Sequence, residues 1–467
     1  MEPSSSPQVI TEPAADEPLA HRRLVFGIVA IALLMASIDQ TIVATALNAI
    51  RSDLGAQLTW SGWTITVYAL GQIIVMPLAG RLGDQFGRKK IFLGAAVLFT
   101  IASLCCSLAD NIYVLVVFRA VQAIGGGAFM PTATGIVAEQ FGRDRDRAIG
   151  MFTSIFPIGG IVGPIIGGII VTYWSWREIF VVNIPIGVLL IVLGLRFIPS
   201  SKPKTAAKID GTGALLLALT MLFAMYGISS LGSAGAEPTD PLFIVAMVIA
   251  LTLGFLFVRH ANRHAAPFIP VSLLRGRGFG AMNTINFLFG AAMLGFGALV
   301  PLYAESRYGI QPLQAGTLLT ARAVGMICVA GLAVFALRRT GYRAPMIGGF
   351  VLVAGGMTLM SLAPHGLTPY AWLALAAGIT GIGMGLSIPA SNNASLQLAP
   401  DQISAIAGLR GMFRQSGGIV AVSITTTILN HASNAGTAQA HSFVVFAAIL
   451  LLMIPFTFLV PDHRGTW

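Results

Sequence analysis

Two residues of opposite charge lie deep inside long apolar stretches of this sequence. Asp39 lies fifteen residues after Leu24, where the first stretch begins, and Arg119 lies about eight residues in from the start of the stretch 112–137, which is its predicted outer edge. At 1.5 Å per residue they lie roughly 22 Å and roughly 18 Å from the cytoplasmic edge of the hydrocarbon core. We therefore expect the two to pair when Asp39 is ionised. Burial favours the protonated carboxyl and a nearby guanidinium favours the carboxylate, so making and breaking the pair could load and release one proton. The alternative is a static ion pair that aids folding.

Three more arginines lie inside apolar stretches in the second half of the chain. Arg322 lies near the middle of one stretch, and Arg410 and Arg414 share another. No acid inside the apolar stretches of that half balances them. Arg322 and Arg410 could contact an anionic or carboxylate-bearing substrate, or only the carboxyl end of a helix, and the sequence leaves both open. Arg414 is expected to have a structural or gating role.

Other polar and aromatic residues of the apolar stretches are candidates for lining a substrate cavity. A cavity for amphiphilic compounds needs mostly apolar walls with a few polar anchors. The candidates, which include the three arginines, are Gln72, Gln122, Phe152, Phe156, Asn283, Asn286, Arg322, Asn392, Arg410 and Arg414.

The elements that must position these residues are membrane helices. The chain has 467 residues, of which 55% are hydrophobic and 10% are charged, whereas soluble domains carry about 25% charged residues. A spanning helix needs about 20 mostly apolar residues. The sequence predicts an all-α membrane protein with fourteen such helices: 24–46, 61–81, 91–109, 112–137, 147–172, 179–198, 211–232, 241–260, 278–303, 312–337, 343–362, 370–392, 403–430 and 441–461.

The basic residues orient these helices. If the amino terminus is cytoplasmic, only Arg51, Arg177 and Arg307 lie on the external side of the membrane, and four arginines lie within helices. The other 21 of the 28 lysines and arginines then lie in cytoplasmic segments. This asymmetry predicts a multi-pass protein of the inner (plasma) membrane with both termini cytoplasmic. It also accounts for the net charge of +10 without nucleic acid as a partner.

A short sequence recurs in the two halves of the chain. The residues Gly-Gly-Ile-Val at 159–162, in the fifth predicted helix, recur at 417–420 in the thirteenth. An offset of eight helices indicates two six-helix halves with two extra helices between them, and repeated halves are typical of secondary transporters. We expect a disordered cytoplasmic tail at 1–20, an N-terminal bundle at 21–200, a linker with helices 7 and 8 at 201–265, and a C-terminal bundle at 266–467.

The loop at 80–90 reads Gly-Arg-Leu-Gly-Asp-Gln-Phe-Gly-Arg-Lys-Lys. It resembles the cytoplasmic signature of the major facilitator superfamily, G-x-L-x-D-x-x-G-R-K/R. Its glycines permit a tight turn, and its acid can stabilise a facing helix amino terminus. By pseudo-symmetry we expect Asp84 to face the start of the thirteenth helix and latch the outward-open state. The alternative is a basic loop that only sets topology. The latch residues are Gly80, Gly83, Asp84, Gly87 and Arg88.

Two helices carry further superfamily motifs. The sequence from Arg119 to Gly125 is similar to R-x-x-Q-G-x-G, with Ala123 where glycine is usual. The fifth predicted helix is similar to the antiporter motif G-x-x-x-G-P-x-x-G-G, which in the superfamily marks exporters rather than importers. Tight packing without directional meaning is the alternative. The motif residues are Gly159, Gly163, Pro164, Gly167 and Gly168.

Three more segments look like the fourteen-helix drug:proton antiporter group of that superfamily. They are Asp39–Leu47, Trp174–Gly187 and Asp210–Gly213. One departure is Asn48, which stands where a proline is usual. The resemblance covers nearly the whole chain. It implies the major facilitator fold, two pseudo-symmetric six-helix bundles plus two linker helices.

The resemblance implies a proton-coupled antiporter that exports small amphiphilic drugs or toxic compounds. The alternative is a dedicated exporter of one anionic metabolite or lipid. A receptor or scaffold would need a sensing domain or long external loops, which the sequence lacks. The expected partners are a small-molecule substrate, protons and the lipid bilayer, and monomers are usual in this superfamily.

We expect neither an enzyme nor a cofactor. The sequence has no nucleotide-binding loop, so ATP should not drive transport. The three cysteines and seven histidines show no metal-ligand spacing, and no metal site is expected.

Overall fold

The structure, a computed structural model, describes residues 19–56, 58–200, 210–231, 236–264, 267–276, 278–460 and 462. Residues 1–18 of the expected tail and 201–209 of the expected linker lie outside the described residues. Within the described ranges every regular element is helical.

The described residues form eighteen α-helices. They are α1 (Leu19–Asp53), α2 (Leu58–Phe86), α3 (Arg88–Ser107), α4 (Ile112–Phe141), α5 (Arg145–Thr153), α6 (Phe156–Tyr173), α7 (Glu178–Val181), α8 (Asn183–Phe197), α9 (Gly211–Ser230), α10 (Pro241–Arg263), α11 (Val271–Arg275), α12 (Phe279–Gly290), α13 (Phe296–Tyr308), α14 (Pro312–Thr340), α15 (Arg343–Ser361), α16 (Pro369–Gln397), α17 (Ile403–His431) and α18 (Ala435–Leu452). A π-helical turn, Ala291–Gly295, joins α12 to α13, and 3₁₀ turns occupy Gly142–Asp144 and Ile454–Leu459.

Twelve helical segments of the described chain are long and apolar enough to cross a membrane. They correspond to twelve of the fourteen predicted helices. The other two predictions, 278–303 and 403–430, are helical as α12 to α13 and as α17, but neither is among these twelve. The count of fourteen spanning helices therefore stays a prediction.

Side chains and one glycine define where several helices begin. Four polar residues accept a hydrogen bond from the backbone N–H three residues on, which satisfies a donor that the first turn leaves unpaired; they are Asn111, Asp210, Thr368 and Asn434. Between α2 and α3, Gly87 has a φ of 103°, which side chains disfavour. This glycine lets two long helices meet in a one-residue turn.

The helices pack in two groups with a shared seam. In the first group, α1 packs on α6, and α4 packs on α2 and α3. In the second, α16 packs on α14 and α15, and α17 packs on α12. Helices α2 and α17 pack along each other across the two groups, and α9 touches both. The division of the chain at residues 200 and 266 stays a prediction.

Two rows of small residues join α1 to α6. Residues four apart lie on one face of a helix, and each row repeats every four residues: Gly159, Gly163 and Gly167 on α6, and Ser37, Thr41 and Thr45 on α1. A methyl group at Gly163 would lie 2.1 Å from Thr41 Oγ1, and that hydroxyl donates to the carbonyl of Gly159 at 3.2 Å. Asp39 lies between Ser37 and Thr41 in the chain, so this seam fixes the height and rotation of its carboxylate.

Replacing Gly163 by alanine is expected to destabilise the protein by about 1–3 kcal/mol, because the added methyl would push α1 away. The thermal unfolding midpoint of the purified protein in detergent measures this. Gly160→Ala is the matched control, since a methyl there meets no atom within 4 Å. Equal midpoints for the two variants would contradict the seam.

Candidate functional site

The carboxylate of Asp39 is the centre of a buried polar cluster. Arg119 Nη1 donates to Asp39 Oδ2 at 2.7 Å. Gln122 Nε2 and Asn183 Nδ2 both donate to Asp39 Oδ1, at 3.0 Å and 2.8 Å. Asp39, Arg119 and Gln122 are each 0% exposed. The ionised carboxylate is thus paired and hydrogen-bonded away from solvent, as a buried charge must be.

Arg119 is held on every side. Its Nε donates to the carbonyl of Thr64 at 3.1 Å, and its Nη1 also donates to Gln122 Oε1 at 2.6 Å. The guanidinium carbon lies 4.0 Å from the centre of the Tyr68 ring, in reach of a cation–π interaction. Helix α4 therefore presents a fixed cation to α1, and a proton can reach Asp39 only if some of these contacts open.

The predicted pairing of Asp39 with Arg119 is present in the structure. Equal depth in the two apolar stretches was enough to indicate it. The sequence analysis did not indicate that Gln122 would bind the same carboxylate, nor that Asn183 would reach it from α8. A signal for Asn183 was available, because an amide in the first turn of an apolar helix needs a polar partner.

A narrow cavity of about 50 Å³ lies between the two groups of helices. The first group contributes Gln40, Met76, Met130, Thr153 and Phe156, and the second contributes Met293, Ile388, Gly411, Arg414 and Gln415. Its walls are mainly apolar with few polar anchors, the composition expected of a site for amphiphilic compounds. Because Gln40 follows Asp39 in α1, the cavity and the buried ion pair lie at the same height of that helix.

Only some of the predicted cavity residues face this space. Phe156 and Arg414 line it. Gln72 accepts a hydrogen bond at 3.0 Å from Gln415, and Asn392 Oδ1 accepts one at 2.9 Å from Arg414, so both support lining residues. Of these four cavity candidates, two therefore line the cavity and two bind its lining residues.

Other candidates belong elsewhere. Phe152 is buried against Phe26 in the core of the first group, with ring centres 6.3 Å apart. Asn283 Nδ2 donates to the carbonyls of Leu273 and Leu274 at the end of α11. Both predictions are corrected here, because each side chain is consumed by packing or by a helix end. Asn286 is buried and donates to the carbonyl one turn earlier in its own helix.

The loop between α2 and α3 touches the start of α17. Asp84 Oδ2 accepts a hydrogen bond from the backbone N–H of Ala405 at 3.1 Å, at the positive end of that helix. Arg88 donates to Asp84 Oδ1 at 2.8 Å and pairs with Glu139 at 2.9 Å. Asp84 therefore lies where the pseudo-symmetry argument expects it, with Arg88 holding it in place.

Close backbone contact brings Asp84 to α17. A methyl group at Gly80 would lie 2.2 Å from the carbonyl oxygen of Ser404, and one at Gly83 would lie 3.4 Å from the methyl of Thr132. Glycine at position 80 lets α2 approach the first turn of α17 directly. The glycines and the acid of this loop thus form one interface.

A second junction between the helix groups was not indicated by the sequence. Asp146 Oδ2 accepts from Tyr342 Oη at 2.8 Å and from Gln397 Nε2 at 3.0 Å, and Asn393 donates to the backbone carbonyl of Asp146. Asp146 is 4% exposed, although the sequence analysis placed it in a loop. Like the Asp84 contact, this junction joins the two helix groups at the end that the sequence predicts to be cytoplasmic, so the groups are in contact at that end.

A third polar cluster lies at α9 and α10, the predicted linker helices. Asp210 accepts from Gly213 N–H, from His260 at 2.7 Å, and from Phe268 N–H. Burial raises the pKa of Asp210, but these hydrogen bonds outweigh it and hold the pKa below its usual value. Ligand atoms of Asp210, His260 and His264 lie within 4.8 Å of one another, close enough for a metal ion that the sequence analysis did not expect. The hydrogen bonds that Asp210 accepts already satisfy its carboxylate, so the cluster serves to join α9 to α10.

The comparison with known proteins agrees with this geometry. The sequence profile of the Major Facilitator Superfamily matches residues 29–422 and, separately, 282–467. The chain belongs to the major facilitator superfamily. Like this major facilitator, the human organic anion transporter MFSD10 has that fold, with a TM-score of 0.69 at 14% identity over 94% of this chain and 100% of that one. The predicted all-helical superfamily fold is confirmed.

Curated relatives of this major facilitator are resistance proteins. The multidrug resistance protein B homolog of Mycobacterium tuberculosis is 29% identical over 92% of this chain and 79% of that protein. The methylenomycin A resistance protein of Streptomyces coelicolor is 29% identical over 90% of this chain and 88% of that protein. These relatives are consistent with the predicted drug:proton antiporter group.

Replacing Asp84 by asparagine is expected to open the cytoplasmic side of this major facilitator. The substitution removes a charge from the positive end of α17, which is worth about 1–2 kcal/mol in a partly buried site and shifts a conformational ratio roughly 5–30-fold. Spin labels at Lys90→Cys and Arg339→Cys, both exposed, should report a larger population of long distances.

Asp110→Asn serves as the control for this measurement, because Asp110 is an exposed carboxylate at the other end of α3. A distance distribution that Asp84→Asn leaves unchanged would remove Asp84 from the latch.

Proposed function

We propose that this major facilitator is a proton-coupled antiporter that exports small amphiphilic drugs or toxic compounds across the plasma membrane. It does so as a monomer with fourteen spanning helices and both termini in the cytoplasm. The observation that carries the proposal is the fully buried pair of Asp39 and Arg119 next to a cavity between the two helix groups. An intramembrane acid and base so placed are suited to exchange a proton for a substrate.

Protonation of Asp39 changes the electrostatic attraction between Asp39 and Arg119. With Asp39 ionised, attraction to Arg119 holds α1 against α4. A proton on Asp39 removes that attraction and leaves Arg119 a cation without a counter-charge, which favours movement of α1 relative to α4. Because α1 also lines the cavity through Gln40, this movement changes the substrate site. Exchange follows if the proton enters from outside and leaves to the cytoplasm.

The cytoplasmic latch controls the side of the membrane to which the cavity opens. The contacts of Asp84 with Ala405 and of Asp146 with Tyr342 and Gln397 hold the cytoplasmic ends together. This closed arrangement is the one in which a proton would arrive from outside and substrate would depart. Opening of both junctions would then expose the cavity to the cytoplasm for loading.

Export rather than import is supported by the glycine seam and by the relatives. The rows on α1 and α6 bring the helix that carries Asp39 into direct backbone contact with α6. The two curated relatives are named for resistance to drugs or to an antibiotic. Direction is therefore proposed from the antiporter motif and from these names together.

Asp39→Asn is expected to abolish export that depends on the proton gradient, because the amide of asparagine cannot take up and release a proton as a carboxylate does. Accumulation of cationic, neutral and anionic dyes in an efflux-deficient bacterial host measures this. Wild type should lower the accumulation of at least one dye class, and a protonophore should cancel the effect.

The control is Asp53→Asn, in the last turn of the same helix, where the carboxylate is half-exposed and pairs with Arg177. A hydrogen bond from Arg177, followed by one from Trp176, lowers the pKa of Asp53, so this acid is ionised and idle at neutral pH. Full proton-dependent export by Asp39→Asn would refute the coupling role. Unchanged accumulation of every dye with wild type would favour a dedicated exporter of one metabolite or lipid.

A further inference from the structure

Two arginines on α17 lie one helical turn apart inside the protein. Arg410 and Arg414 share a face of the helix, since residues four apart are neighbours. Arg410 is 2% exposed, and its Nε, Nη1 and Nη2 atoms all lack a hydrogen-bond partner among the described residues. Arg414 donates to Asn392 at 2.9 Å, while its Nε is buried and also lacks a partner.

No acid of the described chain offsets these charges. Its buried acids are Asp39, Asp84, Asp146 and Asp210, and each is engaged by groups other than these arginines. The ion pairs found in the described residues do not include Arg410 or Arg414. Two like charges one turn apart repel each other, and burial strengthens the repulsion.

Arg119 shows that the fold can satisfy a buried arginine when its role is internal. That guanidinium has a carboxylate, an amide oxygen, a carbonyl and an aromatic ring around it. Arg410 is buried to nearly the same extent with none of these. A cation in such a place costs several kcal/mol unless something neutralises it. A bound anion can supply the partner that the described residues do not.

The substrate cavity lies against these residues. Gly411 and Arg414 line it, together with Phe156 and Met76 from the first helix group. Arg322 reaches the same wall, because its Nη1 donates at 3.1 Å to the carbonyl of Met293, another lining residue. Arg414 therefore gives this mainly apolar cavity a cationic group, and Arg410 lies next to the lining residue Gly411 in the chain.

We propose that Arg410 and Arg414 bind the carboxylate of the exported compound, so that the cargo is an amphiphilic organic acid. A carboxylate accepts paired hydrogen bonds from guanidinium groups, and the apolar remainder of the molecule packs against Phe156 and Met76. Arg414 holds the acid in the cavity, and Arg410 meets it one turn closer to the cytoplasmic end of α17. This assignment rests on the proposed export function and gives its substrate a charge.

Three probes of one shape test the assignment on the purified protein in nanodiscs. They are 2-naphthoate, the neutral 2-naphthamide and the cationic 2-naphthylmethylammonium. Isothermal titration calorimetry should show the carboxylate binding at least tenfold more tightly than the amide and the cation. Arg410→Gln and Arg414→Gln should each weaken naphthoate binding about tenfold or more and leave amide binding within about twofold. Arg410→Lys should retain part of the affinity.

Arg196→Gln is the control, since Arg196 is an exposed arginine on α8 and its loss should leave all three affinities unchanged. Thermal unfolding gives a second readout. Without ligand, Arg410→Gln should raise the midpoint or leave it unchanged, because it removes an uncompensated charge. Naphthoate should raise the midpoint of wild type and not that of Arg410→Gln.

Two results with the naphthyl probes would overturn the proposal. One is equal or tighter binding of the cation or the amide. The other is naphthoate binding that survives both glutamine substitutions. Chloride binding that needs Arg410, with no response to naphthoate, would assign the site to an inorganic anion instead and would also refute an organic acid as cargo.

These measurements separate the site from the function. Asp39→Asn should keep naphthoate binding even though it loses proton-dependent export. If Asp39→Asn exported normally while the arginine variants lost binding, the coupling role would fall and the acid site would stand. If Asp39→Asn lost export while the arginine variants bound naphthoate as wild type does, the coupling role would stand and the acid site would fall.

Discussion

The buried ion pair between Asp39 and Arg119 is the interaction on which the rest of the structure depends. An isolated charge in this interior would be prohibitively costly, so each partner requires the other, and both require fixed helices around them. The small-residue seam places α1 against α6, and α4 brings Arg119 and Gln122 to the same depth. A helix out of register by one residue would turn the carboxylate away from its guanidinium.

The same pair could couple protonation of Asp39 to movement of the two helix groups. In the proposed cycle a proton on Asp39 changes the attraction between α1 and α4, and both helices line the cavity. The cytoplasmic junctions at Asp84 and Asp146 lie at the ends of neighbouring helices and hold the two groups together through side chain and backbone. A small shift near the membrane centre thus acts on contacts that are either made or broken, which is what a two-state transporter requires.

The two halves of the protein handle buried positive charge in opposite ways. In the first half, Arg119 is satisfied by a carboxylate on a neighbouring helix. In the second, Arg410 has no hydrogen-bond partner among the described residues, and Arg414 has only an amide. The fold therefore combines a buried arginine that has its own counter-charge with one that lacks a counter-charge among the described residues. That difference suits an exchanger, in which one half handles the proton and the other handles an acidic cargo.

Much of this could be predicted from the sequence, because membrane helices obey local rules. Apolar length predicted the helices, and equal depth predicted the pairing of Asp39 with Arg119. The orientation that the basic residues indicate stays a prediction. The tertiary structure alone decided which polar groups complete each cluster. Asn183 reaches Asp39 from 144 residues away, and Asp146 reaches Gln397 from 251 residues away, distances over which no periodicity carries information. It also showed that Phe152 and Asn283 serve packing and a helix end, while Arg410 has no hydrogen-bond partner among the described residues. Helix formation follows from composition within one segment, but the partner of a side chain depends on how segments pack, and only the folded chain sets that.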